Sequence, residues 1–178
     1  MTAGKLMVVA IVLCGLIAGV SMYYLQVYHF YKEVPATGPD DVLLTTLDGD
    51  RTALPHSDFR AIDADSSPIR YRACFTTDVT PAQAAATFEP YEGAEPRVAP
   101  GWFDCFDAKS IGSTITAGKA SVFVGHRNIE YGIDRVVAIT EDGHGYVWHE
   151  INDCGDKAYD GTPLGDDCPD RASFEKDQ

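Results

Sequence analysis

Positive charge is scarce in this chain: 14 Lys and Arg stand against 27 Asp and Glu, a formal net charge of −13. Every acid follows Lys32, and Lys5 is the lone basic residue before it. Residues 32–178 therefore hold 13 cations against 27 anions, a net of −14. So acidic a body is a poor partner for nucleic acid and for an anionic lipid surface, whereas a basic protein is drawn to it. The same charge also keeps an exported domain soluble, whatever its partners.

The usual chemical motifs are missing too. No two cysteines stand in C-x-x-C spacing, which argues against a zinc or thiol-redox site. His149-Glu150 lacks the second histidine of H-E-x-x-H, and no serine sits in G-x-S-x-G. The acids at Asp63 and Asp65 lack the alternation and terminal Glu of a calcium loop. His144 reads as a turn residue, His149 as a strand residue, His126 as preceding an Arg127-Asn128 turn, and His56 as a loop residue. The chain is expected to be non-enzymatic, with no catalytic residue, cofactor or metal site. A metal-dependent hydrolase using His144 or His149 with Glu150 is the least favoured alternative.

Charge of either sign is absent from Leu6 to Tyr31, a run of 26 residues. A bilayer core needs about 20 apolar residues in a helix, and Leu6–Leu25 supplies them. A cleaved signal would be shorter and end in small residues. Here the far end carries Tyr23, Tyr24, Tyr28, Phe30 and Tyr31, rings suited to headgroup depth. Lipidation at Cys14 is disfavoured by the large Leu13 before it. A retained anchor is the expectation, with residues 1–5 cytoplasmic and residues 32–178 exported, because positive flanks stay inside. In a bacterium that places the domain in the periplasm. Gly15 and Gly19 lie four apart, a spacing that lets a second helix approach closely, although glycine is common in membrane helices in any case.

Four cysteines remain outside the apolar run: Cys74, Cys105, Cys154 and Cys168. An even count in an exported domain predicts two disulfides, and four thiols allow three pairings. Cys74–Cys105 with Cys154–Cys168 is the preferred set; the second bridge would close a Gly/Asp/Pro-rich tail with little core of its own.

Patterning divides the chain into a spacer at 32–40, one domain at 41–170 and a loose tail at 171–178. Strands are expected at 41–47, 69–76, 120–124, 135–140 and 146–151, with 55–68 as loop. Thr80-Pro81 opens one helix and Asp107 caps a second that closes at Gly118. Asp142-Gly143 marks a hairpin. The reading is α+β: one N-terminal transmembrane helix, then a small antiparallel sheet of about five strands with two helices on one face. Trp102, Phe103 and Phe106 beside Cys105, and Tyr146 with Trp148, read mainly as packing around a disulfide.

The runs Met22-Tyr-Tyr-Leu-Gln-Val-Tyr28, Ile62 to Phe75, Ala99-Pro-Gly-Trp-Phe-Asp-Cys-Phe106, Tyr131-Gly-Ile-Asp-Arg-Val-Val137 and His149-Glu-Ile-Asn-Asp-Cys154 resemble an uncharacterised family. Its members are small single-span proteins of photosynthetic and marine alphaproteobacteria. The resemblance covers nearly the whole chain and implies a periplasm-facing bacterial protein; it implies no activity and no catalytic residues. The expected role is an accessory or assembly subunit of an inner-membrane energy-converting complex, of cytochrome oxidase or bc1 type. Its partners would be an integral membrane complex, through the helix, and a basic periplasmic protein such as cytochrome c, through the acidic domain. The alternative is a ligand-binding or sensory domain on a tether.

Overall fold

A computed structural model describes residues 2–166 and 168–174. Helix α1, Ala3–Tyr24, continues into one wider, π-helical turn over Leu25–His29. Together these 27 residues make a candidate membrane span or signal. At 1.5 Å per residue they reach about 40 Å, enough to cross a ~30 Å bilayer core. No side chain of Ala3–Tyr24 is buried, and an apolar helix bare on every side suits lipid or other helices, not water.

The chain then enters the sheet almost at once. Lys32–Val34 forms β1, Leu43–Thr45 and Arg51–Ala53 pair as the hairpin β2–β3, Ser57–Asp63 forms β4, and Arg72–Thr76 forms β5. Helices α2 (Pro81–Ala85) and α3 (Ala108–Thr116) precede β6 (Ala120–Glu130), β7 (Ile133–Thr140) and β8 (His144–Ile151). A single helical turn, α4 (Arg171–Phe174), follows the cysteine-bridged segment. The six-stranded antiparallel sheet runs β1-β4-β5-β8-β7-β6.

Local signals act as their chemistry requires. Thr80 accepts from the Gln83 amide and Gln83 accepts from the Thr80 amide, a reciprocal cap with Pro81 in the first position. The Asp107 carboxylate accepts from the Lys109 and Ser110 amides. Gly143, at φ +82°, makes the β7–β8 turn, a conformation that L side chains rarely adopt. Gly145 lies opposite Phe75, where an added Cβ would stand 2.0 Å from the ring.

Other placements differ from the sequence reading. Lys32–Val34, within the expected spacer, is an edge strand. Residues 57–63, expected as loop, are a strand whose polar start is broken by a bulge with Asp58 at φ +52°. The strand expected at 41–47 is shorter and lies outside the main sheet. β6 runs on to Glu130, past the expected Arg127-Asn128 turn, by accommodating two irregularities. In the segment read as a loose tail, Arg171–Phe174 is helical and the Phe174 ring meets Tyr131 edge-on, while 175–178 lie outside the described residues.

The largest correction concerns layers. Alternate residues of the central strands enter two separate cores. Ala73, Phe75, Val137, Ile139 and Val147 join Leu44, Leu54, Ala84 and Phe88 on one face. Cys74, Val136, Ala138 and Trp148 join Phe103, Phe106 and Ile111 on the other. Helices α2 and α3 therefore cover opposite faces. In sequence Ile69, Tyr71, Ala73 and Phe75 alternate with Arg70, Arg72, Cys74 and Thr76 as a half-buried strand would, but a sheet covered twice buries both phases of β5, including Arg72.

Candidate functional site

Cys74 and Cys105 form a disulfide with Cα atoms 6.2 Å apart, and Cys154 and Cys168 a second at 5.5 Å. The first ties the centre of the sheet to the 99–106 loop; the second closes the tail after β8. Gly15 and Gly19 lie on the bare helix, and an added Cβ at either would meet nothing within 4 Å. Cys14 is free and exposed. Among the described residues, no group of three or more His, Cys, Asp and Glu side chains could hold a metal ion.

Adjacent in sequence, His149 and Glu150 point to opposite faces, as strand geometry demands. His149 lies across from Arg135, whose Nε donates to its Nε2 at 3.0 Å, while its Nδ1 meets the Pro68 carbonyl. This pattern fixes the neutral ring with its proton on Nδ1. The Tyr71 ring stacks on it, centroids 5.1 Å apart, and Arg135 lies over Tyr71 at 4.2 Å. Burial, helped by the Arg135 charge, pushes the His149 pKa down to about 4.

Glu150 lies opposite Asp134 on the other face. Its carboxylate accepts from the Glu95 amide at 2.7 Å and the Trp148 indole at 2.6 Å, and burial raises its pKa. Asp134, fully buried, accepts from the Asn128 amide at 2.8 Å, Asn152 Nδ2 at 2.7 Å and Arg127 Nη1 at 3.1 Å. Arg127 also reaches Glu89 and lies over the Tyr91 ring, whose hydroxyl is pushed up to about 12 by burial and the nearby Asp134 and Glu150 charges. An open cleft of about 490 Å³ adjoins these groups. The carboxylates are met by donors, which suits clamping residues 89–97 onto the sheet better than proton transfer.

Two further clefts meet at His56. One, about 380 Å³, lies among Thr76, Asp78, Asp142 and His144; the other, about 560 Å³ and more apolar, lies among Ala36, Pro39, Leu54 and Phe59. His56 is held by its Nδ1 on the Leu54 carbonyl at 2.8 Å.

The junction between helix and domain is the most specific arrangement. A helix leaves its last carbonyls without intrahelical donors. Here the Val27 carbonyl receives the Trp102 indole N–H at 2.6 Å, and Val27 alone within residues 2–30 is partly covered. Tyr31 meets Trp102 edge-on at 6.2 Å, and the Arg70 guanidinium lies over the Tyr31 ring at 5.5 Å. The 97–105 loop is fixed from both ends: Arg72, buried in the sheet, donates to the Arg97 and Val98 carbonyls at 2.8 and 3.3 Å, and Cys105 is bonded to Cys74. Sequence reading assigned Trp102 to packing with Phe103 and Phe106. Those two are buried with Trp148, and Trp102, partly buried, does pack edge-on against Phe103 while also giving its indole N–H to the helix. Its indole N–H, which seeks an acceptor wherever it is covered, was the available signal.

No curated protein and no solved structure matches the chain. Residues 42–169 match the model of a family of unknown function, DUF6446, a span that takes in the sheet from β4 onward with both bridges and leaves the apolar helix outside; the chain belongs to that family.

Proposed function

We propose that this protein is a non-enzymatic accessory or assembly subunit of an inner-membrane energy-converting complex, anchored with its N-terminus in the cytoplasm and its acidic domain in the periplasm. The helix packs against the complex, and the domain attracts a basic electron carrier such as cytochrome c. One observation carries the reading: Trp102 and Tyr31 latch the domain to the end of its own helix, so its charge is held near the membrane on a short lever. The net of −14 on residues 32–178 supports steering of a cation by long-range attraction. Two disulfides suit an oxidising compartment.

The test is solubilisation of the native membrane in mild detergent. Co-migration of the intact chain with one haem-staining complex, lost in Gly15→Leu/Gly19→Leu, is the expected result. Recovery as a free monomer at every detergent level overturns it. Binding of cytochrome c to vesicles carrying the chain is expected at low salt and should fade as the Debye length shortens. A tethered ligand-binding domain is the second reading, favoured by the joined clefts at His56. A small molecule released on denaturing the purified protein would support it.

A further inference from the structure

We infer that the Val98–Trp102 loop, with Arg70 and Tyr31, is a bilayer-contact surface that seats the domain in the headgroup layer of the phospholipid membrane. This rests on the reading of α1 as a retained anchor. Depth follows from helix geometry. Leu6–Leu25 fills a ~30 Å core at 1.5 Å per residue, so Val27 stands about 3 Å beyond its edge. Trp102 is bonded to the Val27 carbonyl and therefore sits at that depth, where an indole with one apolar face and one polar edge is most at home. In the same loop Val98, a branched apolar side chain, is 80% exposed.

Arg70 lies over Tyr31 and takes part in none of the ion pairs among the described residues, in a domain where anions outnumber cations two to one. An unpaired guanidinium at headgroup depth meets phosphate oxygens. The acidic net charge opposes adsorption of the whole domain on anionic lipid, but the contact is local, aromatic and already delivered by the anchor. The loop is also rigid, held by Arg72 at one end and the Cys74–Cys105 bridge at the other. A rigid loop loses little conformational entropy when it enters the interface.

The experiment uses the whole chain in phosphatidylcholine vesicles, with lipids brominated either near the top or near the middle of the acyl chain. The protein has two tryptophans, and Trp148 is fully buried in the core. Contact quenching of Trp102 by the shallow bromines, weaker quenching by the deep ones, and loss of all quenching in Trp102→Phe are expected. Emission indifferent to both lipids, from a chain that alkaline carbonate does not extract, overturns the bilayer contact and leaves the anchor standing. Extraction by carbonate overturns the anchor reading, and the contact with it.

Discussion

Trp102 and Val27, 75 residues apart in sequence, are joined by a hydrogen bond of 2.6 Å from the indole to a carbonyl in the helix's last turn. The bond turns a chain connection into a fixed joint. Trp102→Phe keeps the ring and removes the donor, and a typical hydrogen bond of this kind contributes about 1 kcal/mol. Amide hydrogen exchange in residues 28–34 should therefore quicken by roughly five- to tenfold in the variant, since 1.4 kcal/mol is tenfold. Exchange at Val137 and Ile139 of β7 should not change, because their side chains belong to the core on the opposite face. Equal acceleration in both regions would mean that Trp102 supports the fold and not the joint.

The two disulfides should differ in reach although their loop entropies are alike. Chain-entropy estimates give about 3.7 kcal/mol for the Cys74–Cys105 loop and about 3 for Cys154–Cys168, with sequence separations of 31 and 14. Cys74 is buried among Trp148, Phe103 and Phe106, so Cys74→Ala/Cys105→Ala should lower the urea midpoint of the whole domain. Cys154→Ala/Cys168→Ala should loosen residues 152–168 and leave the midpoint of near-UV circular dichroism, which reports the core aromatics, almost in place. Equal shifts from both pairs would show that the tail is integral to the core.

Local chemistry was legible from sequence and long-range partnership was not. Thr80-Pro81, Asp107 and Asp142-Gly143 act within four residues of themselves, and each did what its side chain dictates. β4 escaped notice because Ser57, Asp58 and Arg60 are polar and a bulge breaks the alternation. Arg72 looked solvent-facing because a guanidinium in strand phase usually is. Its burial depends on carbonyls of Arg97 and Val98, which only the folded loop brings to it. The opposed helices could not be read for the same reason: Ala84 and Ile111 are each apolar, and nothing local says which face of the sheet either one meets. The joint at Trp102 combines both difficulties.

Asp134 should be the costliest surface-distant charge to remove. It is fully buried, and its donors come from Arg127 and Asn128 of β6 and from Asn152 after β8. Asp134→Asn sets an amide N–H against the Arg127 and Asn152 donors and leaves a cation without its buried anion, a loss of about 3–5 kcal/mol. Glu89→Gln removes the outer partner of the same arginine, half-exposed, and should cost no more than about 1 kcal/mol. Urea unfolding of the two variants in the same detergent checks the contrast. Comparable losses would place the main energy at the surface.

His149 should make the domain acid-sensitive in a defined window. Its pKa falls from 6.5 to about 4 on folding, because the ring is buried beside Arg135 and, more distantly, Arg72. The unfolded chain therefore binds more protons between these values, and stability rises with pH across them. The contribution is complete above about pH 6.5 and lost as pH falls to about 4, on the order of 3 kcal/mol at 1.36 kcal/mol per unit. Glu150 and Asp63 run the opposite way: burial raises both, so their share is greatest at low pH and declines as pH rises. Comparison with His149→Gln, which keeps an acceptor for Arg135 but cannot titrate, isolates the histidine. The wild type should lose midpoint relative to the variant between pH 6.5 and 4, and a pH-independent difference would mean that folding does not shift the imidazole's pKa.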